Sequence, residues 1–153
     1  MNNHIRARLR QAQMLGELSP CPRGHVVAVL VEPQSWVVIS DGYNGPPRGG
    51  GDLCGGDHCE RDARQIISGT MTEVGCHHAE LNAIINAARR GSSTMGSWLA
   101  VSRVPCLNCA KAIHHAGLSR VYVITDSQVE LTCQGATYLD EHGVEVMTWS
   151  GET

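Results

Sequence analysis

Phenylalanine is absent from this chain of 153 residues, and aromatic side chains make up only 4% of it. Proteins that bind single-stranded nucleic acids stack bases on aromatic side chains, and this chain has few to offer. Basic residues are also scarce, because 12 Lys and Arg stand against 15 Asp and Glu, giving a formal net charge of -3. A protein that follows a nucleic-acid backbone needs a positive surface. The composition therefore argues against polymeric DNA or RNA as a partner.

Long apolar segments are missing as well. No stretch approaches the ~20 apolar residues of a membrane-spanning helix, and residues 1–6 lack the apolar segment of a secretion signal. Seven cysteines is an odd and high number, for which an extracellular disulfide-stabilised protein is the alternative explanation. Without a secretion signal, we interpret the cysteines as reduced and metal-linked. We expect a cytoplasmic protein with no membrane partner.

The length and the 42% hydrophobic content fit one globular domain over residues 1–153. Apolar periodicity predicts the element order α-β-β-α-β-α-β-α-β. The predicted helices cover residues 2–18, 80–90, 106–116 and 128–142, and the predicted strands cover residues 25–31, 36–40, 98–101, 121–124 and 144–149. The first two strands should pair as a hairpin, and Gly135 should interrupt the last helix. The order implies an α/β fold, a mixed five-stranded sheet with helices on both faces.

Two short motifs stand out. One reads H-A-E from His78 to Glu80, and the other reads P-C-L-N-C and contains Cys106 and Cys109. An imidazole and two thiolates are zinc ligands, and three protein ligands leave the fourth tetrahedral position for water, as a catalytic site requires. Two thiolates cancel the charge of the metal, so the water needs a separate base. Glu80 lies two residues from a ligand and can reach that water without binding the metal.

Each motif alone is a weak signal. C-x-x-C is also found in redox pairs and in structural zinc sites, and H-x-E on a helix is usually part of an exposed face. Their conjunction favours a catalytic zinc site, because a proline precedes the cysteine pair and a predicted strand leads into it.

Three segments resemble the cytidine and deoxycytidylate deaminase superfamily: HAELNAI from His78, PCLNCAKAI from Pro105 and GYNGPPRG from Gly42. The first two are typical of the superfamily, and the third is typical of its dCMP deaminase branch. The resemblance runs from about residue 21 to about residue 124. It implies a three-layer α/β/α cytidine-deaminase-like fold. It also implies zinc-dependent deamination of dCMP to dUMP and ammonia, which would supply dUMP for thymidylate synthesis.

The resemblance further implies roles for individual residues. Glu80 takes the proton of the activated water, passes it to ring N3 of cytosine and later protonates the leaving amine. Ala79 offers its backbone N–H to the base, and Asn44 contacts the sugar. An Asn-Gly pair is also an ordinary hairpin signal, so a turn is the alternative for Asn44.

In the dCMP branch, the GYNG segment also belongs to a regulatory nucleotide site, which dCTP occupies as activator and dTTP as inhibitor. Tyr43, Asn44 and Gly45 would form it here, with Mg²⁺ accompanying dCTP. The resemblance implies a homo-oligomer, most often a hexamer. Alternatives are deamination of another base or nucleotide (5-methyl-dCMP, cytosine, guanine or a tRNA adenosine) and a zinc-stabilised nucleotide-binding module without catalysis.

Residues 42–75 form a long glycine-rich segment, with one helical turn predicted over residues 62–67. Loops this long are uncommon unless functional. Four cysteines lie in or beside it and could form a second, closed zinc site: Cys21, Cys54, Cys59 and Cys76. The alternative is that they are small buried thiols. Cys133 stands apart and is predicted to be a core residue, whereas His114 and His115 are predicted to lie on the surface or at an interface.

A phosphate group is recognised by Arg, Lys or backbone amides. Four basic residues lie near the motif segments: Arg23, Arg48, Arg103 and Lys111. No spacing rule selects among them. Arg103 is unusual because the related deaminases more often have a small or neutral residue at this position.

Overall fold

The computed structural model describes residues 3–49, 54–55, 57–125 and 133–150. The helices are α1 (Asn3–Leu15), α2 (Glu60–Ala63), α3 (Ala79–Arg89), α4 (Leu107–His115) and α5 (Gln134–Glu141). The strands are β1 (Val27–Val31), β2 (Val38–Tyr43), β3 (Cys54–Gly55), β4 (His58–Cys59), β5 (Trp98–Val101), β6 (Arg120–Ile124) and β7 (Glu145–Trp149). The elements of the predicted order are all present, and α2, β3 and β4 are short additions within the glycine-rich segment.

Five strands form one sheet in the order β2-β1-β5-β6-β7. β1 pairs antiparallel with both β2 and β5, and this confirms the predicted hairpin. β5, β6 and β7 are parallel, because α4 and α5 supply the crossovers that parallel neighbours require. The predicted mixed five-stranded sheet is confirmed.

Successive side chains of each strand point to opposite faces of the sheet, so the core has two parts. On one face, Ala28 and Leu30 of β1 pack with α3, α4 and α5. On the other face, Val27, Val29 and Val31 pack with α1. All five residues of β1 are buried, as the continuous apolar run predicts. Helices therefore cover both faces, and the predicted three-layer fold is confirmed.

The second strand lies later in the chain than predicted. Trp36 has a φ of 61° and belongs to the turn, where its ring stacks on His4 at 5.5 Å. The strand instead continues through Gly42, which the sequence analysis placed in the loop. A Cβ on Gly42 would lie 2.4 Å from both Ala79 O and Ala83 N. Glycine is therefore required here, because the backbones of β2 and α3 are in direct contact.

Two predictions about the C-terminal part are wrong. Gly135 does not interrupt α5 but lies in its first turn, where a Cβ would be 1.9 Å from Pro105 O. The glycine permits a close approach of α5 to the loop that carries Cys106. Cys133, predicted to be a core residue, is exposed at the N-cap of α5. The predicted start of this helix at residue 128 falls outside the described residues.

Within the described part of the chain, no helix combines the length and the apolar character needed to cross a membrane.

Candidate active site

The zinc-ligand candidates meet where two helices begin. His78 is the N-cap of α3, Cys106 is the N-cap of α4, and Cys109 lies in the first turn of α4. His78 Nδ1 is 3.5 Å from Cys106 Sγ and 3.4 Å from Cys109 Sγ. Among the described residues, this is the one group of three or more His, Cys, Asp or Glu whose ligand atoms all lie within 4.8 Å of one another.

The geometry fits zinc. With Zn–S near 2.3 Å and Zn–N near 2.1 Å, tetrahedral angles place nitrogen and sulfur ligands about 3.6 Å apart. The observed separations are 3.4 and 3.5 Å. His78 and Cys106 are exposed whereas Cys109 is buried, so the ligand set is open on one side. That openness suits a catalytic centre, which keeps one position for water.

The environment of the thiols also suits a metal centre. Hydrogen bonds from Cys109 and His78 lower the pKa of Cys106 to about 3, and the helix N-terminus favours a thiolate as well. The contact with the Cys106 thiolate and burial raise the pKa of Cys109. The hydrogen bond to Cys106 is the main cause that raises the pKa of His78. A metal ion would compete with protons for these ligand atoms.

Glu80 lies in the first turn of α3 and is only 4% exposed. Burial raises the pKa of its carboxyl, because a low-polarity environment disfavours the charged form. The Cys109 thiol donates a hydrogen bond to the Glu80 carboxylate. A buried acid in contact with a candidate ligand, with its pKa raised by burial, is a candidate proton shuttle.

The GYNG segment is joined directly to the ligand segment. Gly45 N donates to His77 O at 3.2 Å, and His77 N donates to Gly45 O at 3.0 Å. This bridge places Asn44 beside the candidate zinc site. Ala79 is the first residue of α3, so its N–H is one of the first-turn donors that the helix itself leaves unpaired.

Asn44 has a structural role that the sequence analysis did not find. Its Oδ1 accepts hydrogen bonds from Val26 N at 2.8 Å and from Ser19 Oγ at 2.6 Å. Its Nδ2 donates to Gly24 O at 2.8 Å. Asn44 therefore holds the segment before β1 in place, and one N–H of its amide remains for a ligand.

A family model described as the cytidine and deoxycytidylate deaminase zinc-binding region matches residues 2–125. The chain belongs to this family. ComE operon protein 2 of Bacillus subtilis is 34% identical over 118 residues, which are 77% of this chain and 57% of that protein. The deoxycytidylate deaminase of Enterobacteria phage T4 is 32% identical over an alignment of 143 positions, which covers 74% of this chain and 73% of that protein.

Two solved structures are similar to this fold. The dCMP deaminase of cyanophage S-TIM5, in complex with dCMP and dUMP, has a TM-score of 0.76 at 28% identity and covers 97% of this chain and 99% of its own. The deaminase/reductase of Thermotoga maritima has a TM-score of 0.64 at 22% identity and covers 96% of this chain but 37% of its own. The second likeness shows the fold alone.

The four remaining cysteine candidates lie near one another but less tightly than the first set. Cys76 makes hydrogen bonds with Cys54 and Cys21, and Cys54 faces Cys59 across the β3–β4 pair. Within the described residues, these sulfurs do not form a second group with all ligand atoms inside 4.8 Å. Burial raises the pKa of Cys76 to about 12 and also raises the pKa of Cys54.

Two neighbouring cavities lie between the GYNGPPRG segment and α3, and no candidate zinc ligand lines either of them. The larger, about 330 Å³, is lined by Tyr43 and by the prolines of the GYNGPPRG segment. The smaller, about 250 Å³, is lined by Arg48, Arg89 and Arg90. Arg48 and Asn86 line both. The sequence analysis missed Arg89 and Arg90, whose only signal is a pair of arginines at the end of a helix.

Proposed function

We propose that this protein hydrolyses dCMP to dUMP and ammonia with the help of one zinc ion, and so provides dUMP for thymidylate synthesis. The observation that carries the proposal is the hydrogen-bonded bridge between Gly45 and His77. It brings the segment typical of dCMP deaminases against the residue next to a candidate zinc ligand. The relatives named deoxycytidylate deaminase support the same substrate.

In this mechanism, His78, Cys106 and Cys109 would hold zinc, which supplies an activated water for attack at C4 of cytosine. Glu80 would receive one proton from that water and deliver it to N3, then take the second proton from the hydroxyl group added at C4 and deliver it to the departing amine, which leaves as ammonia. Its burial raises the pKa of the carboxyl and so favours the protonated form, which the later donation of a proton needs. The N–H of Ala79 would bind the base and Asn44 would bind the sugar.

A substrate panel tests this proposal. Deamination would be followed by ultraviolet absorbance for dCMP, CMP, 5-methyl-dCMP, deoxycytidine, cytosine and guanine. We expect dCMP to give the highest kcat/KM, at least about tenfold above deoxycytidine, because a charge-assisted contact to the phosphate contributes about that much. Preference for any other substrate would contradict the proposed specificity, and zinc-loaded protein without any turnover would favour a binding module.

We also propose regulation by dCTP with Mg²⁺ as activator and by dTTP as inhibitor. Support comes from the two adjoining cavities: Tyr43 lines one, and the guanidinium groups of Arg48, Arg89 and Arg90 line the other. An aromatic ring beside three cations suits a base and a polyphosphate. The same substrate panel, repeated with each nucleotide, should show activation by dCTP and inhibition by dTTP. An unchanged rate would contradict the regulatory role of Tyr43, Asn44 and Gly45.

A second, structural zinc ion held by Cys21, Cys54, Cys59 and Cys76 is a further part of the proposal. Three of these thiols are less than 9% exposed, and they would connect the long glycine-rich segment to β1 and α3. Zinc needs S···S separations of about 3.8 Å, so binding would draw the four sulfurs closer together. Such a site would stabilise a segment that has little core of its own.

Metal analysis tests the second zinc. We expect two zinc ions per chain, falling to one in Cys59→Ser with activity retained and a lower melting temperature. Cys133→Ser is the matched control, because Cys133 is exposed at the start of α5. A single zinc in the unchanged protein would rule out the second site.

We propose a homo-oligomer, with a hexamer favoured by the resemblance to the dCMP deaminase branch. Its mass in solution, measured by light scattering, tests this.

A further inference from the structure

Arg103 lies in the loop between β5 and α4, two residues before Pro105 and three before Cys106. The backbone of this loop is fixed to β1 by Ser102: Ser102 N donates to Val27 O at 3.0 Å, and Val27 N donates to Ser102 Oγ at 3.0 Å. The loop therefore holds Arg103 at the same edge of the sheet as the candidate zinc ligands.

The side chain of Arg103 extends toward the segment before β1. A Cβ on Gly24 would lie 4.0 Å from Arg103 Nη2, with no other atom of the described neighbours so near. Gly24 is also the residue whose carbonyl accepts the hydrogen bond of Asn44 Nδ2. The guanidinium of Arg103 and the candidate sugar-binding residue Asn44 thus border the same short segment.

The guanidinium of Arg103 is exposed and makes no hydrogen bond or ion pair within the part of the chain that the structure describes. The other candidates for phosphate binding differ. Arg23 donates to Ile66 O and Ser68 Oγ, and Arg48 forms an ion pair with Asp41. Lys111 lies five residues after Cys106 on α4, about 7 Å farther along the helix axis.

A cation near the site would offset the negative charge that a nucleotide substrate brings. Two thiolates and the carboxylate of Glu80 carry three negative charges, which one zinc ion reduces to a single net negative charge. A phosphate monoester adds about -1.5 to -2 at neutral pH. An exposed guanidinium beside the site can offset this repulsion, and it offers two parallel N–H groups to phosphate oxygens.

We propose that Arg103 binds the 5′-phosphate of the substrate nucleotide and thereby makes the protein select nucleotides over nucleosides. This inference rests on the proposed function, and it identifies a specificity-determining residue that neither motif contains. Binding through the guanidinium leaves the base and the sugar to the residues already described.

The test compares Arg103→Gln with Arg10→Gln, an exposed arginine of α1 without a described partner, so both variants lose one positive charge. In Arg103→Gln, we expect the KM for dCMP to rise about 10- to 100-fold, while kcat/KM for deoxycytidine changes less than twofold. Calorimetry on the zinc-loaded protein should show weaker binding of the product dUMP and unchanged binding of deoxyuridine. Arg103→Lys should be intermediate, because it keeps the charge and loses the paired donors.

The outcomes separate this inference from the proposed function. If the unchanged protein deaminates dCMP and Arg103→Gln does so equally well, the phosphate is bound elsewhere and this inference is wrong. Equal losses for dCMP and deoxycytidine would show that Arg103 shapes the site and does not read the phosphate. If the unchanged protein does not act on dCMP, the proposed function fails together with this inference.

Discussion

Replacement of Glu80 by Gln is expected to lower the kcat for dCMP by about 10² to 10⁴-fold, the range that a positioned general acid–base contributes. Gln has nearly the same shape as Glu, and its carbonyl oxygen can still accept the hydrogen bond that the Cys109 thiol donates to the carboxylate. Its amide cannot accept and return a proton near neutral pH. The loss should therefore fall on the chemical step.

The measurement pairs steady-state kinetics with metal analysis. The zinc content of Glu80→Gln should match that of the parent, because the side chain is not one of the proposed ligands, and the melting temperature should be equal or higher, because Gln carries no charge to bury. Glu17→Gln is the matched control, since Glu17 is an exposed carboxylate outside the site, and it should retain full activity. Near-normal deamination by Glu80→Gln would be incompatible with the proposed proton shuttle.

The buried carboxyl of Glu80 also affects how the stability of the protein depends on pH. Burial raises the pKa of Glu80 in the folded protein above its ordinary value. A raised carboxyl pKa means that folding favours the protonated form, so ionisation of this group costs stability as the pH rises above its ordinary pKa. The proposed function would account for this cost of burial, because a fully ionised carboxylate would be a poor proton donor to the leaving amine.

The candidate zinc ligands could be predicted from sequence because each of them lies in a short motif at the start of a helix. His78, Cys106 and Cys109 each lie at a helix start that glycine, proline and apolar periodicity already mark. Once two helices begin at the same edge of a sheet, their first turns come together without help from distant residues. The sheet itself followed from the apolar runs, and its mixed pairing from the alternation of short turns and helices.

Other features depend on contacts between distant segments, and local patterns do not show them. The Asn44 side chain looks like that of a turn residue, yet its partners lie near residues 19–26. Gly42 was placed in a loop, although it lies in a strand pressed against α3. Arg89 and Arg90 enter a cavity only because Arg48 reaches the same place from the GYNGPPRG segment.

The contact between α5 and the metal-binding loop leads to the second large effect. Gly135→Ala should destabilise the protein by about 1–3 kcal/mol or more. A Cβ there would lie 1.9 Å from Pro105 O and within 3.0 Å of the Cys106 backbone. These are backbone atoms, so no side chain can rotate to make room. Alanine gains about 1 kcal/mol in helix propensity, and the collision must exceed this gain.

Relief of this collision requires movement of either α5 or the loop at Pro105. Movement of the loop would shift Cys106 away from His78 Nδ1, which is 3.5 Å from Cys106 Sγ in the native arrangement. We therefore expect Gly135→Ala to bind zinc more weakly in competition with a chelator and to unfold at lower urea concentration. Gly16→Ala is the control, because its Cβ would meet Val27 Cγ1 at an ordinary 3.7 Å. If both variants unfold at the same urea concentration, the close approach of α5 does not fix the position of Cys106.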